Sequence, residues 1–597
     1  MKRESYNTKK IYILLAVLIG VQLISIIYYF QFWKEGYHSD EIWSYGYANS
    51  YNMKDIFQDA EGNDTYVNEW YDTQILRDYI VVNEGEQFEY GSIYNNQIRD
   101  LSPPFHSMVL HTICSFFPEQ YSRWFSFSIN IVSFLVTMIF LFKIVKMLKN
   151  DMFALCCCAV YGFSLGARDT YIYLRMYAMC TALIMVAIYS ILRYFQKYRE
   201  SRKLFQKELL VIGSVSLIGF LTHYYVVSFM GILTFFLCVL CFFKREYKLT
   251  FVFGFFMLAV FILSVVIFPS MFQVAEGKVD AEIASSDYDF RTRVMLLCYY
   301  IMKKLFNVTI SVYPTGFFKI AIGVMVFVLV MCIPLGYLLR DTKWMKRFIK
   351  YSKIFLLHPW RTLRYLERRI NWIYVVLFMT IIGQIIVVGE TANVYSMGTA
   401  VDRYLFYVLP LAVVVVMVLL YQVITIVLRK KKWSQIILLA ICIITVGMNC
   451  YNCICYIDYS FMRFSNEKFE DIVENKNCLY IREESWILTT LVPTLMYGDT
   501  FSQVSYNELQ NIEQLYGEKK DEEVIVILDA ALKDSAEGII NANLGLDVER
   551  KSKNNEMNEL YDKIIKKLED LDPETEMKNL GIQCIQGRVM EVYLVNP

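Results

Sequence analysis

Charged residues are scarce in this chain, and neither sign predominates. Only 20% of the 597 residues are Asp, Glu, Lys or Arg, whereas soluble globular proteins average about 25%. The 59 basic residues are matched by 58 acidic ones. The shortage of charge argues against an ordinary soluble protein, and the balance of signs gives no reason to expect nucleic acid as a partner.

Several other features are also missing. With 11 Pro and 26 Gly, the chain is neither collagen-like nor of low complexity. It has no P-loop and no Rossmann glycine motif, so ATP and dinucleotide chemistry are unsupported. The 15 Cys lie mostly in apolar runs, and three of them are adjacent at 156–158. This distribution favours packing toward lipid over a disulfide framework or a zinc site.

Apolar residues are abundant: 56% of the chain is hydrophobic, with 42 Phe and 45 Tyr. A helix needs roughly 20 apolar residues to cross a bilayer, and about eleven such runs are present. They lie near 11–31, 124–147, 152–168, 174–195, 208–222, 224–243, 249–269, 316–339, 372–389, 404–428 and 434–456. The first run is long and lacks a small-residue cleavage site, which indicates a retained helix. We therefore expect a mainly α, polytopic membrane protein.

Basic residues predict how these spans are oriented, because cytoplasmic loops carry an excess of Lys and Arg. With the N-terminus inside, five basic segments fall on the cytoplasmic side: 143–149, 193–207, 244–248, 340–370 and 429–432. The loops on the other side are acidic or neutral. This pattern predicts an N-in, C-out topology with three external pieces, namely loop 32–122, loop 270–315 and the tail 457–597.

The external tail has a different character from the rest of the chain. Short β-branched runs at 477–481, 522–530 and 589–595 alternate with helical patterns at 506–517 and 555–571. We expect a membrane domain over 1–456 followed by a small external α/β domain over 457–597. Its two cysteines, Cys478 and Cys584, adjoin predicted strands, and either a disulfide or a pair of buried thiols fits them.

Ionisable residues near membrane depth are costly, so a group of them on one face predicts a functional site. Here they collect beside the external ends of the spans, in the segments GYHSDEIWS (36–44), DLSPPFHSMVLH (100–111), GARDTYIYLRMYAM (166–179), LTHYYVV (221–227), MKKLFN (302–307) and VDRYLFYVLP (401–410). Arg175 is the most demanding, because the apolar run 174–195 surrounds it and it needs an anionic partner or water.

Each of the other segments also has a purely structural interpretation. Asp40 and Glu41 suit the start of a solvated helix, and Pro103-Pro104 suits a helix start as well. His223 could simply cap a tight turn. Arg403 and Tyr404 suit an interfacial anchor, and Lys303 and Lys304 an amphipathic helix lying on the membrane. The hypothesis of a site rests on the whole set lying on one side.

A divalent metal ion is a further open alternative. His38, Asp40 or Glu41, and His223 could supply its ligands. His106 and His111 are five residues apart and therefore lie on different helix faces, and no HExxH or zinc-type spacing occurs.

The external set suits transfer of a group from a lipid-phosphate donor. A carboxylate can take the proton from an acceptor hydroxyl, cations can stabilise the departing phosphate, and apolar spans can form a groove for an isoprenoid tail. Because the leaving group is a monophosphate, Arg, Lys and His could substitute for a metal ion.

The ordered motifs SDE, SPPFH, LRMYAM, THYY and DRYLFYVLP resemble the GT-C glycosyltransferases over about residues 10–430. The nearest group resembles the bacterial members of glycosyltransferase family 39, relatives of the protein O-mannosyltransferases and lipid A aminoarabinose transferases. The resemblance implies an inverting glycosyltransferase of the GT-C fold, which moves a sugar from a polyprenyl-phosphate donor to an envelope glycan, lipid or protein.

The resemblance also implies roles for residues. Asp40 would be the catalytic base, with Glu41 beside it to position the acceptor or an ion. The donor phosphate would be contacted by Arg175, His223, Arg403 and Lys303 or Lys304, and the substrates shaped by Pro103, Pro104, Asp169, Tyr177 and Tyr404. Many relatives read E-A-R-x-Y where this chain has Tyr173 before Arg175, so Asp169, four residues earlier on one helix face, is the candidate for the missing acid.

Without a luminal retention signal, the sequence favours a bacterial plasma membrane. The alternative function is a transporter or lipid-carrier flippase, which predicts polar residues at mid-membrane that are accessible from both faces. A third alternative is a structural or sensing protein whose tail binds a ligand.

Overall fold

The structure is a computed structural model that describes residues 2–34, 36–51, 64–271, 290–306, 371–392, 400–428, 431–455, 468–482, 487–529, 562–568, 576–585 and 588–596. Most of these residues are helical, and six strands among them form one sheet. The predicted class, mainly α with a small α/β part, is confirmed.

Twelve of the described helices precede residue 270. They are α1 Lys2–Phe32, α2 Ser39–Asn49, α3 Gln74–Ile80, α4 Tyr90–Asp100, α5 Phe105–Ser115, α6 Arg123–Leu148, α7 Asp151–Gly162, α8 Leu165–Ile172, α9 Tyr177–Ser201, α10 Gln206–Phe220, α11 Tyr224–Phe243 and α12 Tyr247–Ile267.

The later part of the chain contributes the remaining helices and most of the strands. The helices are α13 Phe290–Phe306, α14 Trp372–Thr391, α15 Leu409–Leu428, α16 Lys431–Cys455, α17 Phe469–Val473, α18 Leu488–Leu495 and α19 Leu509–Glu518, with a 3-10 helix over Ala400–Val408. The strands are β1 Tyr71–Asp72, β2 Asn477–Arg482, β3 Thr500–Ser505, β4 Val524–Asp529, β5 Glu576–Ile585 and β6 Arg588–Asn596.

Eight helices of the described part are long and apolar enough to cross a membrane. They are Lys9–Phe32, Arg123–Leu148, Tyr177–Ser201, Tyr224–Phe243, Tyr247–Ile267, Trp372–Thr391, Arg403–Thr425 and Lys432–Ile454. Each coincides with one of the predicted apolar runs. The protein is therefore a multi-pass membrane protein.

The continuous helix predicted over 152–168 is wrong, because α7 ends at Gly162 and α8 begins at Leu165. Ser164 makes the break: its Oγ accepts a hydrogen bond from the Ala167 amide, which is how serine begins a helix. The expectation that the cysteines of this run face lipid is also wrong for Cys157 and Cys158, which are buried.

Two further predicted spans have different outcomes. The run at 208–222 forms α10, whose 15 residues reach only about 22 Å, less than the roughly 30 Å of a hydrocarbon core. The run at 316–339 lies outside the described residues, as does most of the external loop 270–315. The total of eleven spans and the N-in, C-out topology stay predictions.

The described chain divides into two compact units. Unit 1 comprises residues 1–19, 133–170 and 177–453 and is built from packed apolar helices. Within it α11 packs along α14, where Gly383 permits close approach: a Cβ at this position would lie 3.0 Å from Cγ2 of Ile232.

Unit 2 comprises residues 20–132, 171–176 and 454–597 and contains the sheet. The strand order is β1-β3-β2-β4-β6-β5, in which β3, β2 and β4 are parallel and the other pairs antiparallel. The three strands and the helix near 506–517 predicted from the sequence are present. Strands β3 and β5 and helix α18 were not predicted.

The sheet order decides between the two interpretations of the tail cysteines. Cys478 lies on β2 and Cys584 on β5, with β4 and β6 between them. Three strand spacings of about 4.8 Å exceed the Cα separation of under about 7 Å that a disulfide needs. The disulfide alternative is therefore wrong, and Cys478 is a buried thiol.

The segment between the first two long apolar helices joins this sheet. It supplies β1, which pairs with β3, and Trp70, which packs on the apolar core of the sheet and donates a 2.9 Å hydrogen bond from Nε1 to the Leu515 carbonyl. Arg482 at the end of β2 forms a 2.5 Å ion pair with Asp64. Loop and tail thus bury surface against each other within one unit.

We expect Trp70→Ala to loosen the tail sheet, since it removes a large half-buried ring and its hydrogen bond, about 2 kcal/mol in sum. Hydrogen–deuterium exchange of the full chain in detergent should become faster over 477–482 and 524–529. Glu69→Ala, an exposed neighbour, is the control. Equal exchange in both variants would contradict the packing role of Trp70.

Candidate functional site

The acidic pair Asp40-Glu41 lies in the first turn of α2. His38 begins this helix: its Nδ1 accepts a 3.1 Å hydrogen bond from the Asp40 amide, and a Glu41 carboxylate oxygen accepts one from the His38 amide. This reciprocal pair is a capping box with histidine in place of serine. The pair therefore does begin a helix, which brings both carboxylates to the positive end of the helix dipole. The expectation that this helix start is solvated is wrong, because both residues are buried.

Asp40 is almost completely buried, with 6% of the residue exposed. Its Oδ2 accepts a 3.1 Å hydrogen bond from the Tyr173 hydroxyl. Nη2 of Arg175 lies 3.9 Å from the same oxygen, and Nη1 donates to the Asp40 carbonyl and to Oγ of Ser44. The anionic partner that Arg175 was predicted to need is thus Asp40.

Glu41 is fully buried and makes a different set of contacts. Nζ of Lys34 lies 2.5 and 2.7 Å from its two oxygens. The Leu174 amide donates to Oε1 at 2.6 Å. Lys34, itself 1% exposed, is the principal residue that sequence analysis missed. The available signal was a lone cation directly after the first span, which is usually an interfacial anchor.

The segment 171–176 carries Tyr173 and Arg175 into this group. The sequence analysis expected Arg175 inside an apolar helix, and this is wrong: α8 ends at Ile172 and α9 begins only at Tyr177. Backbone carbonyls at this break need hydrogen-bond partners outside a helix. The Asn130 side chain supplies them, because its Nδ2 donates to the carbonyls of Tyr171 and Tyr173. We call Lys34, His38, Asp40, Glu41, Tyr173 and Arg175 the acidic site.

Helix α5 lies near the acidic site in unit 2. Pro103 and Pro104 are buried and directly precede it, in agreement with their helix-start interpretation. His106, in the first turn, is 4% exposed, and its Nε2 has no hydrogen-bond partner among the described residues. Burial lowers the pKa of His106 to about 3, and the charge of Arg175 adds to this effect. The imidazole is therefore neutral at physiological pH.

In unit 1, the predicted residues Tyr177, His223 and Tyr404 form an aromatic cluster with Tyr225 and Phe406, which were not predicted. The ring of Tyr177 lies 5.4 Å from that of His223 and 6.1 Å from that of Tyr404. His223 also caps α11, since its Nδ1 accepts a 3.0 Å hydrogen bond from the Tyr225 amide. Its predicted capping role is therefore present.

Arg403 adjoins this aromatic cluster. Its guanidinium lies 5.0 Å from the centre of the Tyr404 ring, and Nη2 donates to the Tyr404 hydroxyl at 3.2 Å. Both residues lie within the 3-10 helix Ala400–Val408, which precedes α15. An arginine beside two tyrosines and a histidine can interact with an anion, so the predicted phosphate role is chemically suitable and stays a prediction.

Asp169 forms a separate ionic group in unit 1. Arg168 Nη2 lies 2.8 Å from one of its oxygens and Lys304 Nζ 2.5 Å from the other. Burial would raise the pKa of Asp169, but these two cations lower it overall. Helix α8 carries Asp169 and ends at Ile172, directly before Tyr173, and the role of Asp169 as a substitute acid stays a prediction.

The described residues contain no group of three or more His, Cys, Asp or Glu arranged to hold a metal ion. The proposed ligands are engaged otherwise: Nδ1 of both His38 and His223 caps a helix, and the Glu41 oxygens receive Lys34. Lys303, on α13, is partly buried beside Lys304, which binds Asp169.

No protein-family model and no curated protein matches the chain. Among solved structures it is similar to ArnT from Cupriavidus metallidurans bound to undecaprenyl phosphate, with a TM-score of 0.43, 10% identity and 98% of each chain covered. It is also similar to the archaeal oligosaccharyltransferase AglB from Archaeoglobus fulgidus in complex with an inhibitory peptide and a dolichol-phosphate, with a TM-score of 0.43 and 8% identity over 89% of this chain and 71% of that chain.

The pKa of His106 predicts how acid affects stability. The folded state keeps the imidazole neutral down to about pH 3, whereas the unfolded chain binds a proton below about pH 6.5. Stability is therefore fully present above pH 6.5 and decreases as the pH falls, by at most about 1.4 kcal/mol per unit. Between pH 6.5 and 5 we expect the free energy of unfolding to fall by about 1–2 kcal/mol more in wild type than in His106→Asn.

Unfolding of the detergent-solubilised chain, followed by fluorescence at several pH values, measures this difference. Met108→Leu, a volume-conserving change on the same helix, is the control and should follow wild type. Parallel pH curves for wild type and His106→Asn would show that His106 is protonated equally in both states.

Proposed function

We propose that this protein is a membrane glycosyltransferase of the GT-C type, which transfers a sugar from a polyprenyl-phosphate donor to an acceptor hydroxyl with inversion. The observation that carries the proposal is Asp40, a buried carboxylate at a helix N-terminus with Tyr173 and Arg175 against it. The motifs around these residues are the ones that resemble the GT-C enzymes.

In the proposed reaction, Asp40 accepts the proton of the acceptor hydroxyl as its oxygen attacks the anomeric carbon. The bond from that carbon to the phosphate oxygen breaks, and its electron pair leaves with polyprenyl phosphate. A single displacement of this kind inverts the anomeric centre. The Tyr173 hydroxyl, 3.1 Å from Oδ2, orients the carboxylate so that its other oxygen can receive the proton.

Arg175 is the proposed cation for the departing phosphate, which gains one negative charge as the bond breaks. Its guanidinium is 16% exposed while two of its contacts, to the Asp40 carbonyl and Ser44, hold it against α2. A positioned guanidinium in a site with little water stabilises developing charge without reorganisation. His106 lies nearby, and because its imidazole is neutral it does not neutralise the positive charge of Arg175.

The other assignments extend this proposal. His223, Arg403 and Lys303 or Lys304 are proposed donor-phosphate contacts. The residues proposed to shape the substrate sites are Pro103, Pro104, Asp169, Tyr177 and Tyr404. Glu41 is proposed to act by holding neighbouring groups of the site in position. We propose that the site faces the outside of a bacterial plasma membrane, where the acceptor is an envelope glycan, lipid or protein. The competing function is a flippase or transporter.

We expect Asp40→Asn to lower the turnover rate by about 10²–10⁴-fold without loss of donor binding, because the side-chain amide of asparagine cannot take the proton. The assay reconstitutes the protein in liposomes with a panel of polyprenyl-phosphate sugars and an envelope-lipid extract, and follows release of polyprenyl phosphate. Glu84→Gln, an exposed carboxylate in the same external loop, is the control and should release phosphate at the wild-type rate.

Equal release from wild type and Asp40→Asn would exclude Asp40 as the base. If neither protein released phosphate from any donor while lipid crossed the bilayer, the flippase function would replace this proposal.

We expect Arg175→Met to lower kcat by about 10²–10³-fold, because it removes the cation for the leaving phosphate. Arg175→Lys should retain part of the rate, since it keeps the charge but loses the two-pronged geometry. Arg77→Met, an exposed arginine of the same unit, should have no effect on kcat. A rise in acceptor KM with unchanged kcat would place Arg175 in acceptor binding instead.

A further inference from the structure

Glu41 has no capacity left for substrate. A carboxylate offers about four acceptor positions, and those of Glu41 receive the Lys34 ammonium at both oxygens, the His38 amide at Oε2 and the Leu174 amide at Oε1. The residue is also fully buried. A group in this state holds other parts of the protein in place and does not exchange protons with a substrate.

The contacts of Glu41 join three separate stretches of chain. Lys34 directly follows the first span, His38 begins α2, and Leu174 lies in the segment 171–176. Leu174 stands between Tyr173 and Arg175, the two residues whose side chains reach Asp40. The position of the Leu174 amide therefore determines where both side chains meet the Asp40 carboxylate.

Lys34 supplies the charge that makes this junction stable. A buried carboxylate needs a cation close by, and the ammonium of Lys34 is as completely buried as Glu41 itself. The Lys34 backbone is fixed in turn, since its carbonyl accepts a 2.8 Å hydrogen bond from Arg123. Removing the ammonium would leave Glu41 charged and buried, so the carboxylate would turn toward water or take up a proton.

We propose that Lys34 is a positioning residue of the acidic site: through its ion pair with Glu41 it holds the segment 171–176 so that Tyr173 and Arg175 contact Asp40. This rests on the proposed function, because the positioned groups are the ones assigned there to proton transfer and phosphate stabilisation. Lys34 touches neither substrate; its effect on the reaction passes through Glu41 and Leu174.

The test combines Lys34→Met with Arg175→Met. A loss of position costs on the order of 10²-fold in kcat, and we expect this from Lys34→Met alone. In the Arg175→Met background the same change should cost only about 10-fold, because one of the two groups it positions is already absent while Tyr173 remains. Lys34→Arg, which keeps the charge, should restore part of kcat. Lys519→Met, which removes a more exposed Lys–Glu pair of the same unit, is the control.

Hydrogen–deuterium exchange over 171–176 gives a readout that needs no turnover. Lys34→Met should exchange faster in this segment while strands β2 and β4 keep their wild-type rates. If Lys34→Met does not fold, Glu41→Gln carries the same measurement, and Lys34→Arg, which keeps the charge, should exchange near the wild-type rate. Unchanged exchange in the segment, or rate losses that multiply fully in the double variant, would overturn the proposal. If Lys34→Met exchanged faster in the segment but the wild-type protein had no transferase activity, the proposed function would be overturned. The positioning of the segment 171–176 by Lys34 and Glu41 would still stand.

Discussion

The buried ion pair between Lys34 and Glu41 is the contact on which the arrangement around Asp40 depends. Two opposite charges with almost no exposure are costly to bury and tolerable only when their geometry is good and their other hydrogen bonds are made. Here the His38 and Leu174 amides complete the carboxylate. The free-energy cost of burying the pair is offset by a gain in structural specificity, because few other arrangements of the three chain segments could satisfy both charges.

The start of α2 combines a structural and a chemical task. His38 and Glu41 satisfy the first amides of the helix, and Asp40 between them lies at its positive end. The capping box at the start of α2 thus orients the Asp40 carboxylate, which is proposed as the base. The same arrangement explains why the helix-start and functional interpretations of the acidic pair do not exclude each other.

The loop between α1 and α6 and the tail share the sheet of unit 2, and both contact α2 or its neighbours. Trp43 of α2 donates a 3.1 Å hydrogen bond to Thr489 of α18, and Thr73 bonds the carbonyls of Gly498 and Asp499. The tail therefore contacts the helix that carries Asp40. A part of the chain with no recognisable motif supports the acidic site by packing, which is a sufficient physical reason for its presence.

Composition and periodicity were enough to predict a polytopic helical protein, because a run of 20 apolar residues has few alternatives in water. They also predicted three tail strands, the helix starts near Asp40 and Pro104, and a partner for Arg175, which the structure shows to be Asp40. They missed Lys34 and Asn130, since a single cation or amide beside an apolar run has no periodic signal. They placed Arg175 in a helix because apolarity continues through 174–195, while the actual end of α8 is decided by buried carbonyls that Asn130 satisfies.

Local patterns determine which helices and strands form. Which cation meets which carboxylate depends on contacts between residues more than 100 positions apart, as between Asp40 and Arg175. Only tertiary structure decides those contacts.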